Sequence, residues 1–245
     1  MKRKLILIFA ILVLWQMASG MIQKEVILPY PGDVLQQMVA HLFQQSFYIA
    51  VISTIIRVMI GFFLALSIGV FLGILSGLFS DFRQYIQPLM TFFQTIPQIG
   101  YILILLVWFS SHIALLIIIF LMLVPTFYFN TLQGMLHIDS DLQDIIQLYH
   151  HSFLYNLRYA YLPLIQGYIL SAIQTTLPLG LKVGVMTEIF VSTQYGIGKQ
   201  LYLARVQIDM TSIFAWVLWM VLMAFLMIKL SDVLIQFIQK KNHSL

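Results

Sequence analysis

The chain contains no cysteine, and only 9% of its 245 residues are charged. Without cysteine there can be no disulfide, thiolate metal site or cysteine nucleophile. Ordinary globular domains carry about 25% charged residues. A chain this poor in charge, with 61% hydrophobic residues, cannot hide its apolar surface in one soluble core. These shortages indicate a membrane protein.

Several catalytic signatures are also missing. There is no glycine-rich phosphate-binding loop and no His-Glu-x-x-His pair, so we do not expect this chain to hydrolyse ATP or hold a catalytic metal. Among six histidines, His150 and His151 are adjacent and cannot easily present both rings to one ion. We predict that they are solvated or docking residues. The net charge of +4 is read as a membrane-orientation signal, and we predict no nucleic-acid partner.

Long apolar runs make up most of the chain. A helix needs about 20 apolar residues to cross a hydrocarbon core of roughly 30 Å. Six runs approach or exceed that length: 5–21, 49–79, 86–109, 113–132, 164–191 and 213–238. We therefore predict an all-α, polytopic membrane protein with about six transmembrane helices. One membrane domain, 1–245, holds an N-terminal span, core spans over 49–238 and a polar loop at 139–163.

The first run, 5–21, has two readings. It follows Lys2, Arg3 and Lys4 and ends near Ala18, Ser19 and Gly20, which is the pattern of a secretory signal peptide. The same residues suit a first span that is retained. We favour the retained span, and cleavage is the alternative.

The distribution of cations predicts the orientation, because lysine and arginine in short loops stay on the cytoplasmic side. With the N-terminus inside, seven cations lie inside and three outside. The inside set is Lys2, Arg3, Lys4, Arg83, Arg158, Lys240 and Lys241, and the outside set is Lys24, Lys199 and Arg205. This orientation makes both termini and the polar loop cytoplasmic.

A short amphipathic helix is predicted between the first two spans. Pro31 and Gly32 break the chain, and Asp33 is a plausible N-cap. Apolar residues then recur at helical spacing, while Gln37 and His41 belong to the polar side. We expect this helix to lie along the outer membrane surface, with a contact to an external protein as the alternative.

Small residues recur at every fourth position of the second span. They are Gly61, Ala65, Gly69, Gly73 and Gly77. Such spacing lets helix backbones approach closely in lipid. Packing inside one subunit is the favoured interpretation, and a dimer interface is the alternative.

Prolines and charges inside the spans are the candidates for a transport pathway. Pro97, followed by Gln98, is the strongest candidate for a kink that exposes carbonyls to water, and a proline tolerated by packing is the alternative. Charges at mid-bilayer cost at least ~2.5 kcal/mol, which singles out Arg57, Lys182 and Glu188. We expect Arg57 and Glu188 to pair between helices rather than bind substrate, whereas Lys182 would suit an anionic substrate.

The polar loop 139–163 interrupts the apolar runs and has the character of a docking element. It resembles the coupling loop of binding-protein-dependent ABC importer permeases, in which an acidic residue is followed by a glycine and then by Leu-Pro. Here the acid is Asp144 and the glycine place is filled by His150. The remaining matching or neighbouring loop positions are Ile145, Ile146, Leu148, Tyr149, Leu162 and Pro163.

Further segments are similar to the nitrate/sulfonate/taurine branch of that family. They are LPYPGDVLQQM (28–38), STIIRVMIGFFLALSIGVFLGILSGL (53–78), the series Pro97, Pro125, Asn130, Thr131, Gly134 and Asp139, and KVGVMTEIFVSTQYGIGKQL (182–201). The chain departs from the pattern at Leu103 and Ser110, where a proline and a glycine are usual.

The resemblance implies a type I ABC importer permease fold and a set of partners. Two copies of the chain would form the path, two cytoplasmic ATPases would dock on the loop, and an external binding protein would deliver the solute. The chain itself would be no enzyme and hold no cofactor, because ATP and Mg²⁺ would bind to the ATPases. The expected solute is a small anion or a vitamin precursor. An ion-coupled secondary transporter is the alternative function.

Overall fold

The computed structural model describes residues 2–148 and 152–242. This part of the chain is helical and contains no strand, which confirms the all-α prediction. The helices are α1 (Lys2–Ile22), α2 (Pro31–Leu42), α3 (Gln45–Leu78), α4 (Ser80–Thr95), α5 (Gln98–Trp108), α6 (Ser111–Leu136), α7 (Ser140–Leu148), α8 (Phe153–Asn156), α9 (Leu162–Val191), α10 (Ile197–Val206) and α11 (Met210–Asn242). A π turn, Leu157–Tyr161, joins α8 to α9.

Four helical segments are individually long and apolar enough to cross a bilayer. They are α3, α6, the stretch Phe153–Val191 and the Met210–Val233 part of α11. Helices α4 and α5 pass the same test only together, and α1 contributes a shorter apolar segment, Phe9–Ile22. The described residues thus provide up to five spans by length and composition.

The predicted third span, 86–109, is wrong as a single helix. Helices α4 and α5 meet at an angle of 98°. Proline fixes its own φ and disfavours helical backbone at the preceding residue. Accordingly Ile96 is extended, with φ −66° and ψ 128°. The sequence predicted a kinked helix at Pro97, whereas the structure has two separate helices there. By contrast, Pro125 and Pro178 lie inside continuous helices.

The chain divides into two compact units. One consists of the chain up to Ile56 together with Val185–Met223. The other consists of Arg57–Gly184 together with the chain from Ala224 onward. Helices α3, α9 and α11 contribute residues to both.

The second unit is organised around a close contact between α3 and α6. The facing pairs are Gly61 with Ile119, Gly69 with Phe127, Gly73 with Thr131 and Gly77 with Met135. Ala65, in the same stripe, is fully buried. Because the residue numbers of both partners rise together, α3 and α6 run in the same direction. The glycine face is therefore filled by α6 of the same chain, which leaves no room there for a second copy.

The directions of the helices in this unit determine how the chain crosses the membrane. Since α3 and α6 are parallel, α4 and α5 together must return the chain to the side where α3 began. Helix α9 runs antiparallel to α6, because Gly134 faces Tyr168 whereas Gly184 faces Ile119. The bent pair therefore counts as one crossing, and the ends of α3 and α6 lie on the same side.

In the first unit, α2 packs on the beginning of α11. Its buried residues are Pro31, Val34, Met38 and His41. Val34 and Met38 form one cluster with Ala215. The predicted N-cap was wrong: the cap position is Tyr30, Pro31 occupies the first helical position, and Asp33 lies in the first turn. Proline suits that position because its missing N–H would have no partner inside the helix.

The assignment of His41 to the polar side of α2 was also wrong. The side chain is 4% exposed, and its ring lies 4.8 Å from that of Trp216 and 6.1 Å from that of Phe47. Burial lowers the pKa of His41, and the negative charge of Asp209 opposes this only in part. The imidazole is therefore held in its neutral form, which packs on aromatic rings as an apolar group does.

The glycine contact predicts a specific sensitivity. A Cβ added at Gly73 would come within 2.7 Å of Thr131 Cβ and 2.9 Å of the Tyr128 carbonyl oxygen. We expect Gly73→Ala to lower the free energy of unfolding by about 1–3 kcal/mol, the usual cost of overpacking. Unfolding by SDS titration in detergent micelles measures this.

The matched control is Gly167→Ala on α9, where an added Cβ meets nothing within 4 Å. It should leave stability unchanged or raise it slightly, because alanine is the better helix former. Equal losses for the two variants would contradict the packing account.

Candidate functional site

The break between α4 and α5 interrupts helical backbone within an apolar segment. Pro97, like Ile96, is extended, with ψ 134°, and it is exposed. The hydroxyl of Tyr101 donates a hydrogen bond of 2.7 Å to the carbonyl oxygen of Phe93. The N–H of Ile96 donates to the carbonyl of Phe92 at 3.3 Å. The carbonyl groups at the end of α4 are therefore capped by hydrogen bonds from residues of the same broken span.

The break lies against α9 next to an intramembrane lysine. The side-chain amide of Gln98 donates to the carbonyl oxygen of Val183 over 3.4 Å, and the neighbouring Lys182 is exposed. Of the predicted pathway residues, Gln98 thus contacts the backbone of Val183, the residue that follows Lys182. Non-helical backbone and charge are tolerated at membrane depth where they are buried in protein or line a water-filled cavity. Hydrocarbon is the least suitable medium for this face.

Between Gly167 and Lys182, one side of α9 carries small and polar residues. Gly167, Ser171 and Thr175 are exposed at spacings of one helical turn, and Lys182 follows two turns later. The Thr175 hydroxyl is directed to its own helix and donates to the carbonyl oxygens of Ser171 and Ala172, at 3.2 and 3.0 Å. A transmembrane helix facing lipid on this side would carry large apolar residues. The face is therefore suited to water or to protein.

Glu188 occupies a separate, buried polar cluster in the first unit. Its side chain is 1% exposed and accepts hydrogen bonds from the Thr54 hydroxyl, at 2.9–3.0 Å, and from the N–H of Gly198, at 3.0 Å. The N–H of Ile197 in turn donates to Thr54 Oγ1 at 2.9 Å. The carboxylate therefore sits at the N-terminus of α10, where the unpaired N–H groups and the helix dipole stabilise negative charge.

The glycine before α10 makes this arrangement possible. Gly196 has φ +148°, which favours glycine, and a Cβ there would lie 2.5–2.7 Å from the Glu188 carboxylate. The segment Gly196-Ile197-Gly198 thus wraps around the buried acid. Sequence reasoning identified Glu188 but missed Thr54, which was one of several hydroxyl residues in an apolar run. The expected pairing of Glu188 with Arg57, a half-buried residue of α3, stays a prediction.

The polar loop forms a short helix with an outward apolar face. Asp144 lies on α7 and is exposed, Ile145 is 47% exposed and Leu148 is 73% exposed. Ile146 faces the other way and packs against the cluster that includes Met135. Tyr149 and His150 lie outside the described residues. An exposed apolar face on a segment outside the spans indicates an interaction surface.

The end of the loop differs from the sequence expectation. Leu162 and Pro163 were predicted to end the loop before a span starting at 164, whereas the helical stretch runs from Phe153 to Val191 without a break. A π turn precedes the proline, with the N–H of Leu162 donating to the carbonyl of Leu157. Such turns relieve the clash between a proline ring and the preceding helical turn. Movements of this segment would therefore pass directly into α9.

A family model for the inner membrane component of binding-protein-dependent transport systems matches residues 65–244. The chain belongs to this family. It is a multi-pass permease subunit of an ABC importer, and it is not itself an enzyme. Family membership favours this function over an ion-coupled secondary transporter, and it implies an ATPase and a substrate-binding protein as partners.

The chain is similar to several permeases that are named for a transported solute. It is 22% identical over 239 residues to SsuC of Bacillus subtilis (strain 168), named as an aliphatic sulfonates transport permease, covering 97% of this chain and 85% of that one. It is 29% identical over 148 residues to the bicarbonate permease CmpB of Synechococcus elongatus, covering 60% of this chain and 53% of that one. It is 25% identical over 101 residues to the taurine permease TauC of Escherichia coli (strain K12), covering 39% and 37%.

A solved structure shares the fold. A chain of the inward-facing MetNI methionine ABC transporter superposes with a TM-score of 0.62 at 14% identity, covering 75% of this permease and 89% of that chain. The type I permease fold predicted from the sequence is thus confirmed.

The buried cap at α10 yields a prediction. In Thr54→Val, the N–H of Ile197 and the Glu188 carboxylate each lose a buried partner. We expect the free energy of unfolding to fall by about 1–3 kcal/mol, the cost of a buried polar group left unsatisfied, measured by thermal unfolding in detergent.

The matched control is Thr175→Val, where the hydroxyl is exposed and bonded only within α9. It should change stability by only a few tenths of a kcal/mol, as is usual for exposed sites. A similar loss for both variants would show that the cap has no special role.

Proposed function

We propose that this permease carries a small solute with an anionic group along the exposed face of α9. The observation that carries the proposal is Lys182, an exposed cation at membrane depth beside the broken span at Pro97. Gln98 donates to the carbonyl oxygen of Val183, the residue after Lys182, which holds the break against the part of α9 that carries the lysine. Relatives named for sulfonate, bicarbonate and taurine transport support an anionic solute.

Two copies of the chain are proposed to enclose the path. In a single copy Lys182, Thr175 and Pro97 are exposed, and the glycine face of α3 is already used by α6. The α9 face is therefore the better surface for a second copy, because it would remove these polar groups from lipid. A homodimer would place two such faces around one path.

Lys182 provides the test of the anionic solute. We expect Lys182→Gln to lower ATP-dependent uptake of the transported anion into proteoliposomes at least about tenfold, because losing one charge–charge contact is worth roughly 1.4 kcal/mol or more. Taurine, an alkanesulfonate and bicarbonate form the substrate panel. Lys182→Arg should retain part of the uptake.

The matched control is Lys229→Gln. That lysine also lies within a span, but its ammonium sits over the ring of Phe225, 5.0 Å from the centroid. Uptake should survive this change. Full uptake in Lys182→Gln, or uptake of an uncharged vitamin precursor only, would reject the anionic path.

The loop helix α7 is proposed to dock on a cytoplasmic ATPase, with one ATPase for each of two permease copies. Its exposed apolar residues Leu142, Ile145 and Leu148 would fill a groove on the partner, while Ile146 anchors the helix to the permease. ATP and Mg²⁺ would bind in the ATPases. Because the stretch from Phe153 continues into α9, ATPase closure would act on the helix that carries Lys182.

The docking face gives a coupling prediction. Ile145→Glu buries a charge at the interface, and we expect the stimulation of ATPase activity by solute-loaded binding protein to fall at least about tenfold. The control Ser140→Glu adds the same charge at the exposed start of α7, where a helix N-terminus tolerates it, and should keep the stimulation. Equal stimulation in both would place docking elsewhere.

The proposed orientation puts both termini and α7 in the cytoplasm. The cation asymmetry motivates it, and the parallel course of α3 and α6 supports it, because their ends, with the nearby Arg83 and the loop holding Arg158, lie on one side. The chain has no native cysteine, so Ser140→Cys introduces the sole thiol.

A membrane-impermeant maleimide should label the Ser140→Cys thiol in inside-out vesicles and not in intact, wall-stripped cells. Gln207→Cys, on the opposite predicted side, should show the reverse pattern. Labelling of Ser140→Cys from outside intact cells would invert the topology.

A further inference from the structure

A notch opens between the start of α3 and helix α10, within the first unit. Its volume is about 490 Å³ including the open mouth. The polar side chains lining it are Ser46, Gln194, Tyr195, Lys199 and Gln200. On the proposed orientation the notch faces the outside of the cell, away from the ATPases.

The notch is positively charged. Lys199 is its single charged lining residue, and its ammonium is 5.5 Å from the ring centroid of Tyr202. Glu188 lies behind Gly196, fully buried, and its negative charge is engaged by the N-terminus of α10. Helix α10 itself carries Lys199 and Arg205 and no acidic residue. The notch therefore offers a cation and several hydrogen-bonding groups to an anionic group.

The shape of the notch favours a side chain of a protein over a free solute. Its mouth carries exposed apolar side chains: Tyr195 is 55% exposed, Ile49 38% and Leu203 37%. Sites for small molecules usually enclose most of the ligand surface. A polar centre beside exposed aromatic and aliphatic groups is more typical of a protein interface.

The buried cap holds the two walls of the notch together. The hydroxyl oxygen of Thr54 on α3 accepts a hydrogen bond from the N–H of Ile197 on α10, and the same hydroxyl donates to the Glu188 carboxylate. Ser46, Ile49 and Ala50, on one wall, belong to the same helix as Thr54. The walls are therefore fixed before any partner arrives, which lowers the ordering cost of binding.

We propose that this notch receives an acidic side chain of the substrate-binding protein and orients it over the permease. The inference rests on the proposed function, because it needs the proposed orientation. It goes further by assigning the docking contact to Lys199 and its neighbours. Solute-loaded binding protein would approach the basic α10, and Lys199 would pair with the inserted carboxylate.

The first test compares two charge reversals on α10. The assembled complex with its ATPases is placed in nanodiscs, and the Kd of the cognate, solute-loaded binding protein is measured at low and high salt. We expect Lys199→Glu to raise Kd at least about tenfold and to weaken its salt dependence. Arg205→Glu, the same reversal on an exposed residue outside the notch, should raise Kd less than about threefold. Lys199→Arg should preserve binding.

The second test asks what enters the notch. In Gln200→Cys the thiol lines the notch, and in Gln207→Cys it is exposed outside it. Solute-loaded binding protein should slow maleimide modification of the first thiol at least about tenfold while leaving the second unchanged. Taurine or bicarbonate alone, without binding protein, should protect neither.

The outcomes distinguish failure of the proposed function from failure of the notch as a docking contact. If binding protein neither binds to nor stimulates the wild-type complex, the proposed function fails. If the wild type responds but Lys199→Glu behaves like Arg205→Glu, the notch is not the docking contact. Protection of the Gln200→Cys thiol by taurine or bicarbonate alone would make the notch a solute site and overturn the proposal.

Discussion

The rest of the second unit depends on the close parallel contact between α3 and α6. In a bilayer no hydrophobic effect drives helices together, so the contact depends on how near the backbones can approach. Glycine at positions 61, 69, 73 and 77 removes the side chains that would prevent it. Because the two helices are parallel, the intervening segment must cross back. That segment is the broken pair α4 and α5, whose break is held against α9.

Three charged side chains inside the apolar segments make contacts that stabilise the structure. Glu188 caps α10, Asp232 accepts a hydrogen bond of 2.6 Å from Gln174, and Lys229 lies over an aromatic ring. These contacts give each of the three a structural role. Lys182 differs in its surroundings, because it lies on a side of α9 that also carries the exposed residues Gly167, Ser171 and Thr175. The acids Glu188 and Asp232 both accept hydrogen bonds from other side chains, which gives each a structural role.

Much of the fold was readable from local pattern. Apolar run length located the four spans that are single long helices, and the four-residue glycine period identified the packing face of α3. Local pattern failed where a second element decided the outcome. His41 looked polar on a helical projection, but Trp216 and Phe47 supply an aromatic environment for its neutral ring. Pro97 indicated a kink, whereas the structure has a 98° bend, with both halves packed on α6 and Gln98 of α5 bonded to α9.

The sequence by itself determined that this chain is a helical membrane permease, because composition, run length and motif order are properties of the linear chain. It also named Pro97, Gln98, Lys182 and Glu188 as residues needing explanation. Only the tertiary structure decided their grouping. Gln98 reaches Val183 across 85 positions and Thr54 reaches Glu188 across 134, and hydrogen bonds at such separations depend on helix packing that no local pattern encodes. Helix packing therefore buries Glu188 in a structural role and leaves Lys182 exposed.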